Sequence, residues 1–293
     1  MQVYKTFSFQ ILMDVSVIVT SEPKGLNPGG RCLVESGSAR FPAYFKFCRE
    51  RKITGASSFR VSHQPIYEAL TFKLVRNIGL TTTDFYVLLN RDRNVHFYEW
   101  KGNLSHDPSG RDYYFVSKIL PSTQECPEFV SNSILQREAI YLNSLLVADV
   151  IGRKSNYHCR LKYNSATGGN FSEVVYLDLG CSFVYASKGQ LSLPGSARYC
   201  DDREFRIAMH RLERSAIVSR SGASINLAEM VAELPNMEIP TLNPHSTSTI
   251  DSFLDGDEIR EIQGYLAKNL ADYIGLFRSE GLLDNGNLCG EHI

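Results

Sequence analysis

Val174-Val175-Tyr176-Leu177-Asp178-Leu179-Gly180 is the stretch on which the reading of this chain turns. Its apolar opening, rich in β-branched and aromatic side chains, predicts a buried strand. The run then breaks at a carboxylate, Asp178, with Gly180 two positions on. A carboxylate at a strand end, beside a glycine that frees the backbone, presents an oxygen ligand to a divalent cation carrying phosphates. The same letters also describe an ordinary Asp-x-Gly turn, and short motifs match by chance often. The order of the elements upstream bears on that choice.

Immediately before the heptapeptide, Cys159 to Tyr163 and Phe171 to Leu177 read as a hairpin around the turn Asn164 to Gly169. A polar loop, Arg153-Lys154-Ser155-Asn156-Tyr157-His158, precedes it. Before that, residues 134–151 predict a helix, apolar nearly all round in its second half and therefore buried. Asp149 inside that run is unusual, because an unpaired buried carboxylate is costly. Helix, polar loop, hairpin and Asp-x-Gly form one ordered set.

Working outward to the N-terminus, residues 8–20 predict one or two strands. The apolar run is broken by Asp14, preceded only by Lys5, and followed by no small-residue cleavage site, so it reads as strand rather than signal peptide. The Gly- and Pro-dense loop Ser21 to Gly30 and a return strand, Arg31 to Glu35, complete a hairpin. Such a hairpin either is a simple turn or lays backbone amides, here of Gly29 and Gly30, over nucleotide phosphates. In Phe41-Pro42-Ala43-Tyr44-Phe45-Lys46-Phe47, strand alternation puts Lys46 on the face opposite Phe45 and Phe47. It is then either a solvent-facing lysine or a cation aimed into a cleft.

Residues 63–79 carry helical marks: Pro65 suits the first turn, Ile66, Leu70, Leu74 and Ile78 recur every four residues, and Gly79 fits the stop. Glu68 lies beside that stripe. It either favours the helix N-terminus electrostatically or reaches inward toward Lys46. Asp84 to Trp100 predicts two strands around the polar turn Asn90 to Asn94, and Tyr113 to Leu120 another strand. The first 120 residues thus read as mainly antiparallel strands with one helix. Beyond the prolines at 121 and 127 the chain reads as mostly helical, with helices over 202–219, 226–234 and 255–279. The last of these is amphipathic and expected to pack on the second lobe. The implied division is a β-rich lobe (1–120), a helical lobe (121–283) and a loose tail (284–293).

Composition narrows the classes. A hydrophobic fraction of 43 % and a charged fraction of 22 % belong to a globular chain. A net charge of −1 supplies no global basic field, so direct nucleic-acid binding is not expected. Seven scattered cysteines without a C-x-x-C pair point to reduced thiols and a cytoplasmic compartment. The seven histidines form no zinc-ligand pattern, and no apolar run is long enough for a membrane span.

Taken in order, these parts resemble the HipA-like kinases, which have a protein-kinase-like fold, over residues ~15 to ~280. The matching pieces are the Gly25 to Gly30 hairpin, Y-F-K-F, P-I-Y-E-A-L-T-F-K-L-V-R-N-I-G-L, Asp84 to Leu89 leading to a hinge, L-L-V-A-D-V-I-G and Y-L-D-L-G. The resemblance implies a two-lobe α+β fold and ATP- and Mg²⁺-dependent transfer of phosphate to a hydroxyl, on a protein substrate or partner. It implies that Lys46 holds nucleotide phosphates, that Glu68 orients it, and that Asp178 and Asn156 bind metal.

One segment departs from the family. After the buried helix such kinases carry I-G-N-x-D-R-H-x-x-N, whose Asp takes the substrate proton. Here the residues are Ile151-Gly152-Arg153-Lys154-Ser155-Asn156-Tyr157-His158. Aligned on Ile-Gly, Ser155 stands at the Asp; aligned on the following strand, Arg153 does. Neither is a general base near neutral pH. Three outcomes stay open: Asp149 serves as the base, transfer proceeds slowly without one, or the chain is a pseudokinase that binds nucleotide or a protein without chemistry.

Overall fold

The computed structural model describes residues 10–12, 14–21, 28–48, 60–77, 80–90, 92–99, 108–121, 157–166, 168–180, 217–218, 224–225 and 253–279. Those residues are mixed α/β, with a curled sheet in the N-terminal region. The sequence-predicted helices over 134–151 and 226–234, the linker from residue 122 that follows the expected lobe boundary, and the tail from 284 lie outside them.

The sheet begins with β1 (Gln10–Leu12) and β2 (Val15–Ser21). Asp14 between them takes φ 51°, a left-handed value that Asp tolerates better than most residues. Next come β3 (Gly29–Ser36) and β4 (Ala39–Lys46), and after an intervening helix β5 (Phe85–Leu89), β6 (Val95–Glu99) and β7 (Tyr113–Lys118). The order across the sheet is β1-β5-β7-β4-β3-β2-β6. Laid flat, that order would put β1 and β2 roughly 24 Å apart. The connection from Leu12 to Val15 spans at most about 11 Å. The sheet must therefore curl.

It curls until the parallel register Gln10↔Tyr86 to Leu12↔Leu88 runs on into Val15↔Val95 to Val19↔Glu99. In effect one kinked strand, β1 with β2, lies beside another, β5 with β6, and β3, β4 and β7 complete a closed ring. Buried Asn90 holds the offset in the second kink: its side chain donates to the Arg111 carbonyl (3.0 Å) and accepts from the Val95 amide (3.1 Å). The expected strands over residues 84–100 form, in a sheet that is mainly antiparallel as the sequence predicts, with four of its six pairings so. What the sequence does not anticipate is that β5 and β6 also pair in parallel with the N-terminal run, a long-range choice that local sequence does not encode.

Strand alternation gives the sheet two apolar faces. Val15, Val17, Val34, Ala43, Phe45, Tyr114 and Val116 fill one core. Phe85, Val87, Tyr113 and Phe115 point the other way, onto α1 (Gln64–Asn77), which a short 3-10 turn (Val61–His63) introduces. Pro65 sits in the first turn of α1, as its missing N–H permits. The sequence suggests a stripe, but every residue from His63 to Phe72 is buried. The sheet covers one side of α1. Strand β9 (Gly169–Tyr176) and a long C-terminal helix, α2 (Gly256–Ser279), contribute to the same core.

Helix α2, expected to pack on the second lobe, shares through Ile259, Ile262, Leu266 and Leu270 one core with α1 and with Val174, Tyr176 and Leu179. The expected helix over 202–219 ends otherwise: Ile217–Val218 forms strand β10, paired antiparallel with β11 (Ser224–Ile225). Ile217 and Val218 are β-branched, which favours strand over a helix end.

Candidate functional site

Lys46 is the last residue of β4. Phe45 and Phe47 enter the ring core, so alternation turns Lys46 to the opposite side, as the sequence predicts. Its register is set against Gly29, and Gly30 pairs with Phe45. A Cβ on Gly29 would lie 2.0 Å from the Phe45 carbonyl oxygen, and one on Gly30 would lie 2.5 Å from that of Ser21. Close backbone approach thus accounts for glycine at both positions. The preceding loop, 22–27, lies outside the described residues. Gly29→Ala is expected to lower stability by about 1–3 kcal/mol through overpacking, read as a reduced urea midpoint; an unchanged midpoint would show that β3 and β4 can separate freely there.

Opposite Lys46, α1 presents Glu68, whose side chain is 1 % exposed. The third member arrives from far along the chain. Strand β8 (Tyr157–Asn164) and β9 form a hairpin in continuous register. The end of β9 is tied to the segment after α1: Tyr176 donates its amide to the Thr81 carbonyl (2.9 Å), and Thr82 bridges Tyr176 in parallel. Glu173 reinforces the tie, accepting from Thr81 Oγ1 (3.1 Å), Arg160 Nη2 (2.6 Å) and Lys162 Nζ (2.7 Å). Burial opposes the Glu173 charge, but those donors outweigh it and hold its pKa below the ordinary value. Once β9 ends at Tyr176, Val174, Tyr176 and Leu179 stay in the core and Asp178 turns toward the lysine.

The result is one cation between two carboxylates. Lys46 Nζ donates to Glu68 Oε1 at 2.6 Å and to Asp178 Oδ1 at 2.6 Å. Exposure is graded across the three side chains: Glu68 1 %, Lys46 18 % and Asp178 49 %. Burial works against the ammonium, but Asp178 and Glu68 outweigh it and hold the Lys46 pKa above its usual value. Burial, with Lys46 opposing it, pushes Glu68 up to about 7. The Leu179 amide also donates to Glu68, tying the strand end to α1.

Of the residues singled out from the sequence, Lys46, Glu68 and Asp178 therefore meet, and Gly29 and Gly30 lie in the strand beside Lys46. Asp149, Ser155 and Asn156 lie outside the described residues. Thr81, Thr82 and Glu173 had not been anticipated. Their part in placing Asp178 depends on a pairing across about ninety residues, which no local pattern announces.

The donor set suits a phosphate-bound Mg²⁺. Asp178 offers a half-exposed hard oxygen, and Mg²⁺ characteristically takes one or two carboxylates and leaves its other positions to phosphate and water. Among the described residues no group of three or more His, Cys, Asp or Glu gathers as a metal cage, nor is any helix long and apolar enough to cross a membrane. Described cysteines Cys32 and Cys48 are buried free thiols, and burial pushes Cys32 up to about 12. No family model matches the chain, and a comparison with curated proteins found no significant match.

Proposed function

We propose that this chain is a two-lobe, protein-kinase-like phosphotransferase of HipA-like type that uses ATP and Mg²⁺ to phosphorylate a hydroxyl on a protein, in a cytoplasmic compartment. The observation that carries the reading is the convergence of Lys46, Glu68 and Asp178 at 2.6 Å contacts, from three segments up to 132 residues apart. In phosphoryl transfer the protein chiefly positions groups and neutralises charge. Lys46 would bind phosphate oxygens, Glu68 would fix its direction, and Asp178, with Asn156, would hold the metal. Bound Mg²⁺ would neutralise charge on the phosphates. Gly29 and Gly30 open β3 opposite Lys46 and Phe45, so their amides are candidates to approach the phosphates, and Asp149 is the candidate base.

A second reading has its own support. The loop Arg153-Lys154-Ser155-Asn156 carries no carboxylate. That favours a pseudokinase, which binds nucleotide or a protein partner and transfers nothing. One experiment separates the two. The protein is incubated with γ-labelled ATP, Mg²⁺ and a generic protein acceptor, and its melting temperature is measured with and without nucleotide. An active kinase incorporates label and loses incorporation in Asp178→Ala by at least about a hundredfold. A nucleotide-binding pseudokinase shows the thermal shift alone. Neither signal in the wild type would overturn the kinase reading and the nucleotide-binding form of the second.

A further inference from the structure

The position of Glu68 depends on how α1 is rotated, and α1 is gripped on a neighbouring face by a single carboxylate. Glu258 lies in the first turn of α2 and is wholly buried. His63 Nδ1 stands 2.8 Å and 3.1 Å from its two oxygens, and the Tyr67 hydroxyl donates to it. The Glu258 amide donates to Asp255 Oδ1 (2.9 Å), and the Asp255 amide donates back to Glu258 Oε2 (3.3 Å), a reciprocal capping box. Arg60 pairs with Asp255 at the rim, and its amide donates to the Tyr67 hydroxyl oxygen (2.9 Å).

Tyr67 and Glu68 are consecutive, so their side chains leave α1 about 100° apart. One meets α2 and the other meets Lys46. Apolar packing between two helices permits small rotations and slips. A buried carboxylate with fixed donors does not, because each lost hydrogen bond leaves a desolvated polar group. We infer that Glu258 is a positioning residue: acting through Tyr67 and His63, it fixes the rotation of α1 that presents Glu68 to Lys46. The C-terminal helix thereby governs a site to which it contributes no ligand. Its consequence for nucleotide binding rests on the phosphate-site reading above; the geometric claim does not.

The test reads Lys46 itself. Acylation of the full-length protein by an N-hydroxysuccinimide ester is followed residue by residue by mass spectrometry, without nucleotide. A lysine held as a paired ammonium reacts slowly. Glu258→Ala and Tyr67→Phe are expected to raise Lys46 acylation about tenfold. Glu258→Gln, which keeps an acceptor for Tyr67 and can donate to His63, restores the slow rate. Ile262→Val weakens the same interface without touching the carboxylate and leaves the rate at the wild-type value. If Lys46 reacts equally slowly in Tyr67→Phe and Glu258→Ala, or equally fast in Ile262→Val, the inference is overturned. Should Glu258→Ala not fold, Tyr67→Phe decides alone. Mg·ATP affinity, measured on the same preparations, is expected to weaken about tenfold in Tyr67→Phe. A wild type that binds no nucleotide defeats the phosphate-site reading and leaves the acylation result standing.

Discussion

Lys46→Met is expected to abolish nucleotide-dependent stabilisation while leaving a folded protein. Methionine keeps the length of the stem and removes the charge. At ligand near a hundred times its dissociation constant, a protein that binds only when folded gains about 2.7 kcal/mol. The variant is expected to gain about 0.1 kcal/mol or less, corresponding to a loss of at least about five-hundredfold in affinity. In the absence of ligand the substitution strands Glu68, which keeps the Leu179 amide but loses its cation. Breaking a buried pair typically destabilises by about 3–5 kcal/mol. Glu68 is already raised to about 7, so it can take up a proton instead of remaining charged. The loss should therefore fall toward about 2–3 kcal/mol, with more of it appearing at alkaline than at acidic pH. Urea unfolding at pH 5 and pH 8, with and without Mg·ATP, measures both effects. A wild-type response to nucleotide in this variant would remove Lys46 from the phosphate site.

Glu68→Gln should flatten a component of the stability profile whose sign is opposite to that of an ordinary ion-paired acid. The folded-state pKa of Glu68 is raised from 4.5 to about 7 by burial, against the pull of Lys46. Between those values the folded protein holds a proton that the unfolded chain has released. Stability from this group is accordingly present in full below pH 4.5 and is lost as pH rises through about 7. For a side chain 1 % exposed, the loss amounts to roughly 3 kcal/mol. Glu173, with its lowered pKa, works in the other direction: its contribution is lost as pH falls through the acid range. The difference between wild type and Glu68→Gln isolates the first effect. It should favour the wild type more at pH 5 than at pH 8. A difference independent of pH would mean that Glu68 is ionised throughout, and that Lys46 outweighs burial.

Some parts of this arrangement could be read directly along the chain. The strand that ends before Asp178, the alternation that turns Lys46 away from Phe45 and Phe47, and the helix that begins near Pro65 follow from residue spacing and from backbone chemistry. These depend on neighbours a few positions away, whose influence is strong and directional. The hairpin β8–β9 was equally plain, with turn residues between two β-rich runs.

Glu68 marks the limit of that kind of reading. From its helix alone it could serve the N-terminal dipole or face inward, and periodicity described only a stripe beside it. The covering of α1 from both sides, by the sheet and by the core that α2 and β9 share, is what left it nowhere to go but toward Lys46. The same holds for the parallel pairing of β1–β2 with β5–β6, for α2 settling on α1, and for Thr81 anchoring Tyr176. Local preference chose helix, strand and facing, because those energies act over a few residues. Which faces meet was set by burying every apolar surface at once while pairing each buried charge, and that requirement has a solution only for the whole chain.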